Sequence, residues 1–353
     1  MRSIKSCNVA VVGGAGFLGS HLTNHLVDDR ACQVLVLDNL CVGRREWVHP
    51  KARFLHCDIT VSEEYLRNVF KENKIRFVAN YAAFPYIPDS FVRPKHVFSV
   101  NASGAINVIN AAQEAGVEGI LQVSSAEIYG AGQNGKADEQ GMRRFKLTED
   151  AAVCPHSTYG AAKAAVDYYC QSAWRERQTP VIVLRQFNCL GERESHPYVV
   201  PEIISQLYDC AGGESPDKAT TAYVQLGNNS FRDFLYAGDA VRIAVELLER
   251  GQWGEVYNLG SETGIKIYDL AKLIGKVMGF ADVIVEQDSA RVRPWEIWSL
   301  LSSNEKIYGI ISRRSLVSLE DSLKKTVVWY ESVGRKWPWE KQDAKGDIQE
   351  ART

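Results

Sequence analysis

Short apolar runs alternate along the chain with longer stretches in which apolar residues recur at helical spacing. The runs at 8–12, 33–37, 53–57, 75–80, 119–123 and 181–185 read as buried strands, each closed by polar or turn-forming residues. Between them, the helical spacing falls at 21–26, at about 97–115 and over the stretch that carries Tyr159, with a loop at 81–94. Repeated strand–helix order predicts an α/β fold, a Rossmann-type doubly wound parallel sheet. Past residue 185 the pattern loosens into loops and shorter helices, predicting a smaller carboxy-terminal substrate-binding region. The boundaries drawn from this are a dinucleotide-binding domain at 1–185, rejoined at about 231–260, and a second domain at 186–230 and 261–340. The polar residues 341–353 read as a tail.

Length and charge narrow the classes. A chain of 353 residues has room for two domains, and 45% apolar residues suffice for sizeable cores. A formal charge of -2 argues against nucleic-acid or anionic-membrane partners. The eight cysteines are scattered without a C-x-x-C pair, so reduced thiols are expected rather than disulfides or a metal site. With no signal peptide and no apolar run near twenty residues, the expectation is a soluble, cytoplasmic protein.

Chemistry enters at two places. The first predicted strand runs straight into Gly13-Gly14-Ala15-Gly16-Phe17-Leu18-Gly19, with helical spacing immediately after. Glycines at this junction allow a tight turn and let backbone amides at a helix amino end approach a pyrophosphate. The second strand ends in Asp38, at the distance where a carboxylate holds an adenosine ribose hydroxyl. That carboxylate would repel a 2′-phosphate, which favours NAD over NADP, although Arg44 and Arg45 lie close in sequence.

The second place is Tyr159 and Lys163, four residues apart and therefore on one helix face. An ammonium beside a phenol favours the phenolate, so Tyr159 is expected to be easier to ionise than a free tyrosine. Such a phenolate can take a proton from a sugar hydroxyl while a nicotinamide accepts hydride from the same carbon. On its own the pair reads more readily as two residues on a helix surface; the glycine turn and Asp38 upstream give it meaning.

These motifs in this order resemble the extended short-chain dehydrogenase/reductase family, specifically its NAD-dependent nucleotide-sugar epimerases and dehydratases. The resemblance runs from Asn8 to about Tyr330. It implies cofactor contacts at Gly13, Gly16, Phe17, Leu18, Gly19, Asp38, Asn39, Asp58, Ile59, Ala82, Ala83 and Asn101, and at Tyr159 and Lys163. It makes Ser125, Tyr159 and Lys163 a catalytic triad, with Glu127 beside them. It also implies that Asn188, in Arg185-Gln-Phe-Asn188, and Arg232, in Phe231-Arg-Asp-Phe234, meet the substrate diphosphate, with Arg293 of Val292-Arg-Pro294 as a later contact. Tyr86, Ser125 and Ala126 would face the hexose. The substrate is then a nucleotide-diphosphate sugar, and family members pair the helices at 97–115 and 159–177 into a homodimeric four-helix bundle.

Within that family the strand end after Val123 separates reactions. Sugar 4,6-dehydratases usually carry Thr-Asp-Glu there, whereas this chain has Ser125-Ala126-Glu127. The acid that protonates a leaving hydroxyl is thus missing, while the glutamate remains. An NAD-dependent epimerase acting at C4 through a transient 4-keto sugar ranks first. A decarboxylase or atypical dehydratase using Glu127 ranks second, and a 4-keto-sugar reductase third. A member that binds NAD without turnover is disfavoured because the triad is intact. Asn304 departs from a common aspartate, and the nucleotide base is left open, with uridine preferred only as the commonest carrier.

Overall fold

The computed structural model describes residues 2–130, 145–195, 197–212, 220–292, 296–313 and 315–333. Among them the chain partitions into two compact units. One covers Met1–Cys189, Ser230–Ile265 and Trp295–Leu316, the other Leu190–Asn229, Lys266–Pro294 and Val317–Thr353.

The first unit is built on a seven-stranded sheet. Its order is Val256–Leu259, Val181–Gln186, Gly119–Ser125, Phe77–Asn80, Asn8–Val12, Gln33–Asp38 and Arg53–His56, with every neighbouring pair parallel. Both faces are apolar because helices cover both, so strands such as Asn8–Val12 are almost wholly buried. On one face Val9, Val11, Leu121, Ile182 and Leu184 pack with residues of helices Phe17–Asp28 and Ala237–Arg250. On the other, Ala10, Val12, Val78, Ile120 and Val183 meet helices Glu63–Glu72, Ala105–Glu114 and Thr158–Arg177. The predicted α/β class, doubly wound and parallel, is what the chain adopts.

Local departures from the sequence reading are small and physical. The helix expected at about 97–115 begins earlier, as Pro94–Phe98, and passes through a wide turn at Ser99–Gly104 before continuing as Ala105–Glu114. Helical periodicity is blind to such a turn. There Gly104 lies against Ile59, whose side chain would stand 2.7 Å from an added Cβ. The residues expected as loop at 81–94 include the short helix Asp89–Val92.

The second unit has a two-stranded parallel sheet, Thr221–Leu226 against Asp282–Gln287, with helices Val199–Cys210, Ile267–Met278 and Leu319–Ser332. All eight cysteines are free, and Cys7, Cys32, Cys57 and Cys170 are buried. Among the described residues, no helix is long and apolar enough to cross a membrane.

Candidate active site

The candidate site lies at the carboxyl ends of the central strands, where the sheet order reverses. Asn8–Val12 and Phe77–Asn80 are neighbours whose onward connections run to opposite sides, a topological switch point where doubly wound sheets bind ligands.

The glycine turn follows Asn8–Val12. Gly13 has φ +78°, and a Cβ there would stand 2.6 Å from the amide nitrogen of Ala82. At Gly19 a Cβ would stand 2.0 Å from the Gly13 carbonyl oxygen, so only glycine lets the helix start so close to the turn. Gly16 differs: its backbone is ordinary, and within 4 Å an added Cβ would meet only the Gly13 carbonyl oxygen, at 3.3 Å. Gly16 also caps helix Phe17–Asp28, which has no side-chain cap and no acidic residue in its first turn. An open cradle at an uncapped helix amino end suits a pyrophosphate, so the residues present fit a dinucleotide. Phe17 and Leu18 supply the first helical amides, and the Phe17 ring stands edge-on to His21 at 5.8 Å.

Asp38 ends Gln33–Asp38 and is buried. Its Oδ2 accepts from the Ala15 amide at 3.0 Å and its Oδ1 from the Leu40 amide at 2.8 Å. It therefore ties the glycine turn to the following loop, a task the sequence alone did not reveal, and burial raises its pKa against those two bonds. Asn39 donates to Asp58 Oδ2 at 3.0 Å, while the Thr60 amide and hydroxyl donate to Asp58 Oδ1 at 2.8 and 2.7 Å. Burial opposes these bonds, yet together they hold the Asp58 carboxyl below its ordinary pKa. Ile59 is buried beside it.

On the other side of the switch point, Ala82 and Ala83 begin the loop after Phe77–Asn80, and the Ala82 amide donates to Asn80 Oδ1 at 3.1 Å. Asn101, on the wide turn, clamps Phe84 with two bonds: it accepts from the Phe84 amide at 2.7 Å and donates to its carbonyl at 2.9 Å. Tyr86 is half-buried in the same loop.

Ser125 ends Gly119–Ser125, and its hydroxyl accepts from the Glu127 amide at 3.2 Å, capping the turn Ala126–Tyr129. Helix Thr158–Arg177 starts at Ser157, which accepts from the Gly160 amide at 3.0 Å and so sets Tyr159 in the first turn. The Ser125 hydroxyl acts on the Tyr159 phenol and favours its ionised form. Lys163 is 3% exposed and donates to the Val123 carbonyl at 3.1 Å, with its Nζ 5.9 Å from the Tyr159 ring centre.

The electrostatics correct the sequence-based expectation for Tyr159. Burial pushes the phenol up to about 12; the Ser125 hydroxyl opposes this and the Glu127 charge adds to it. Burial also brings Lys163 down to about 8. Desolvation leads at both groups because both are buried, a depth that four-residue spacing does not report.

Further residues gather nearby. Ala126 lies in an apolar cluster with Ile128, Tyr129, Ala164, Phe187, Ile297 and Leu300. The side-chain oxygens Ser124 Oγ, Gln186 Oε1 and Asn188 Oδ1 are buried without a hydrogen-bond partner. Gln186 pairs in register with Ser125, so these atoms lie where the sheet ends beside the triad. An unsatisfied buried acceptor costs about 1–3 kcal/mol, which a polar ligand would relieve. The sequence reading left Ser124 as a strand-end hydroxyl and gave Gln186 no role; their places at the ends of two adjacent strands were the available signal.

The structure places Arg232 differently from an open cation. Its Nη2 is 2.7 Å from Glu296 Oε1 and both side chains are buried, so Glu296 already balances its charge. Arg293 lies outside the described residues, as does the tail at 341–353. Asn304 is buried and exchanges two bonds with Gly260, accepting at 3.2 Å and donating at 2.8 Å, a pairing that requires an amide rather than a carboxylate. Among the described residues no His, Cys, Asp and Glu group could hold a metal ion.

Residues 9–260 match the profile of the NAD dependent epimerase/dehydratase family. The dTDP-D-glucose 4,6-dehydratase of Mus musculus is 31% identical over 344 residues, covering 93% of this chain and 90% of its own. The solved UDP-N-acetylglucosamine 4-epimerase of Methanobrevibacter ruminantium M1, in complex with UDP-N-acetylmuramic acid, superposes with a TM-score of 0.79 at 26% identity. It covers 93% of this chain and 99% of that one. The Thermus thermophilus UDP-glucose 4-epimerase complex with NAD gives a TM-score of 0.76 at 26% identity, covering 92% and 99%.

Proposed function

Because the chain belongs to the NAD-dependent epimerase/dehydratase family, we propose that it binds NAD and interconverts nucleotide-diphosphate sugars epimeric at C4. The observation that carries this is the strand end: Ser125 acts on the buried Tyr159, and the next residue is the buried methyl of Ala126. Tyr159 takes the proton of the C4 hydroxyl, directly or through Ser125. NAD, when bound, supplies the hydride acceptor and donor and a positive ring charge that favours the Tyr159 phenolate. Lys163 is the residue placed to contact the cofactor's ribose while its charge supports that phenolate. Gly13, Gly16, Gly19 and the amides of Phe17 and Leu18 receive the pyrophosphate, with Asp38, Asn39, Asp58, Ile59, Ala82, Ala83 and Asn101 around the rest of the dinucleotide. Tyr86, Asn188 and Arg232 are assigned to the substrate, Arg232 sharing its fork with Glu296. Ala126 offers no proton to a leaving hydroxyl, which favours turning of the 4-keto sugar and reduction on its other face over elimination.

A lyase reading has one observation behind it. Glu127 acts electrostatically on Tyr159, so a carboxylate stands within reach of the reacting centre. Incubating UDP-glucose, UDP-N-acetylglucosamine and dTDP-glucose with the enzyme in deuterated water, followed by NMR and mass spectrometry, separates the two. A C4 epimer of unchanged mass and no ring deuterium is expected, with Glu127→Gln within about fivefold of wild type. Ring deuterium, a lost water or carbon dioxide, or a loss of about 10²-fold in Glu127→Gln would replace epimerase by lyase.

The oligomeric state follows from the helices near the site. Phe91 is 55% and Val92 79% exposed, and Phe98 and Tyr168 are exposed as well, on helices Asp89–Val92, Pro94–Phe98 and Thr158–Arg177. Such apolar exposure favours association, and a second copy of the chain pairing these helices into a four-helix bundle is the expected cover. Light scattering at micromolar concentration should give twice the chain mass, and Val92→Asp with Tyr168→Asp should return it to the monomer value.

A further inference from the structure

Behind the triad lies a buried polar network that the chemistry above does not use. Arg185 sends Nε and Nη2 to Asp167, at 2.8 and 3.2 Å, and Nη1 to the Tyr129 hydroxyl at 2.8 Å and the Glu149 carbonyl at 2.9 Å. The Tyr129 hydroxyl donates onward to Asn258 Oδ1 at 2.6 Å, and Asn258 Nδ2 donates to the Leu147 carbonyl at 2.9 Å. None of Tyr129, Asp167, Arg185 and Asn258 exceeds 3% exposure.

The elements joined are those that carry the reacting groups. Asp167 lies four residues beyond Lys163 and eight beyond Tyr159, on the same helix face. Tyr129 closes the short turn that Ser125 caps and Glu127 occupies. One guanidinium therefore fixes the Tyr159 helix at one end of its fork and the Ser125 turn at the other. A planar fork suits this, because a bidentate pair to Asp167 and a fixed second direction to Tyr129 define a distance that a single flexible ammonium would not.

We propose that Tyr129, Arg185 and Asp167 are positioning residues that set the separation of Ser125 and Tyr159. This rests on the assignment of Tyr159 as proton acceptor. Burial raises the Tyr159 phenol and Ser125 is the group that opposes this, so their separation sets how far the phenol can ionise. Misplacing a reacting group by about 1 Å can cost on the order of 10²-fold in rate.

Tyr129→Phe tests it, since it keeps the ring and deletes one oxygen. With full-length protein labelled with [ζ-13C]tyrosine, the Tyr159 resonance, identified by its absence in Tyr159→Phe, reports the effect of Ser125 without turnover. It should move in Tyr129→Phe in the direction it moves in Ser125→Ala. On the first nucleotide sugar that the wild type converts, kcat should fall about tenfold to a hundredfold with KM within about twofold. In a Ser125→Ala background the same change should cost less than about threefold, because the group being positioned is gone. Arg185→Lys, which keeps the cation for Asp167 but not the fork, is the second variant and should shift the resonance likewise. An unmoved Tyr159 resonance in both variants, or an equal kcat cost in both backgrounds, would reduce the network to structural support. If no nucleotide sugar is converted, the proposed function fails while the resonance still decides this inference.

Discussion

Replacing Tyr159 by phenylalanine is expected to lower kcat by about 10²–10⁴-fold, as deletion of a positioned proton acceptor does. The fold should tolerate the change. The ring remains in its buried place, Ser157 still caps the helix, and Ser125 still accepts from the Glu127 amide. Cofactor binding should also survive, because the glycine turn and Asp38 are untouched. The experiment therefore needs three readings on one preparation: turnover, cofactor retained through gel filtration by its near-ultraviolet absorbance, and the melting curve. Loss of turnover with cofactor and melting curve preserved isolates the phenol. Retention of more than about a tenth of the rate would remove Tyr159 from the chemistry. The environment sharpens the expectation: burial that pushes the phenol up to about 12 leaves little phenolate at neutral pH until a ligand adds positive charge.

Much of the fold was legible because strand and helix spacing, together with glycines at a strand–helix junction, are local signals. Six of the sheet's strands stand out as apolar runs; the seventh, Val256–Leu259, was visible only as part of a return to the first domain. The wide turn at Ser99–Gly104 was not visible, since it keeps helical composition and only the fold brings Gly104 against Ile59. Ser125, Tyr159 and Lys163 could be singled out, but not their electrostatics, because the Tyr159 and Lys163 shifts depend on burial. The resemblance pointed Arg232 at a phosphate but could not show its pairing with Glu296, sixty-four residues away in sequence. Asp167 was the missed opportunity, since it continues the Tyr159–Lys163 face by one further turn and a carboxylate on that buried face demands a partner.

Two glycines three residues apart should respond in opposite ways, which separates what the turn does for the fold from what it does for a ligand. At Gly19 a methyl would lie 2.0 Å from the Gly13 carbonyl oxygen and 2.9 Å from the Gly14 Cα, both backbone atoms that cannot step aside. Gly19→Ala should displace the helix start and destabilise the protein by about 1–3 kcal/mol or more, as forced overpacking does. At Gly16 a methyl would meet only the Gly13 carbonyl oxygen at 3.3 Å, on a backbone that any residue adopts. Gly16→Ala should therefore melt within about 1 °C of wild type, a shift that corresponds to under about 1 kcal/mol. Yet Gly16 caps a helix whose first-turn amides have no side-chain partner, and a methyl there stands where a pyrophosphate must approach. NAD affinity in Gly16→Ala, measured by calorimetry on refolded apoprotein, should fall on the order of 10²-fold, about 2.7 kcal/mol. Adenosine, which lacks the pyrophosphate, should bind Gly16→Ala and wild type alike. Unchanged NAD affinity in a stable Gly16→Ala protein would mean that the cradle at this helix end holds no phosphate.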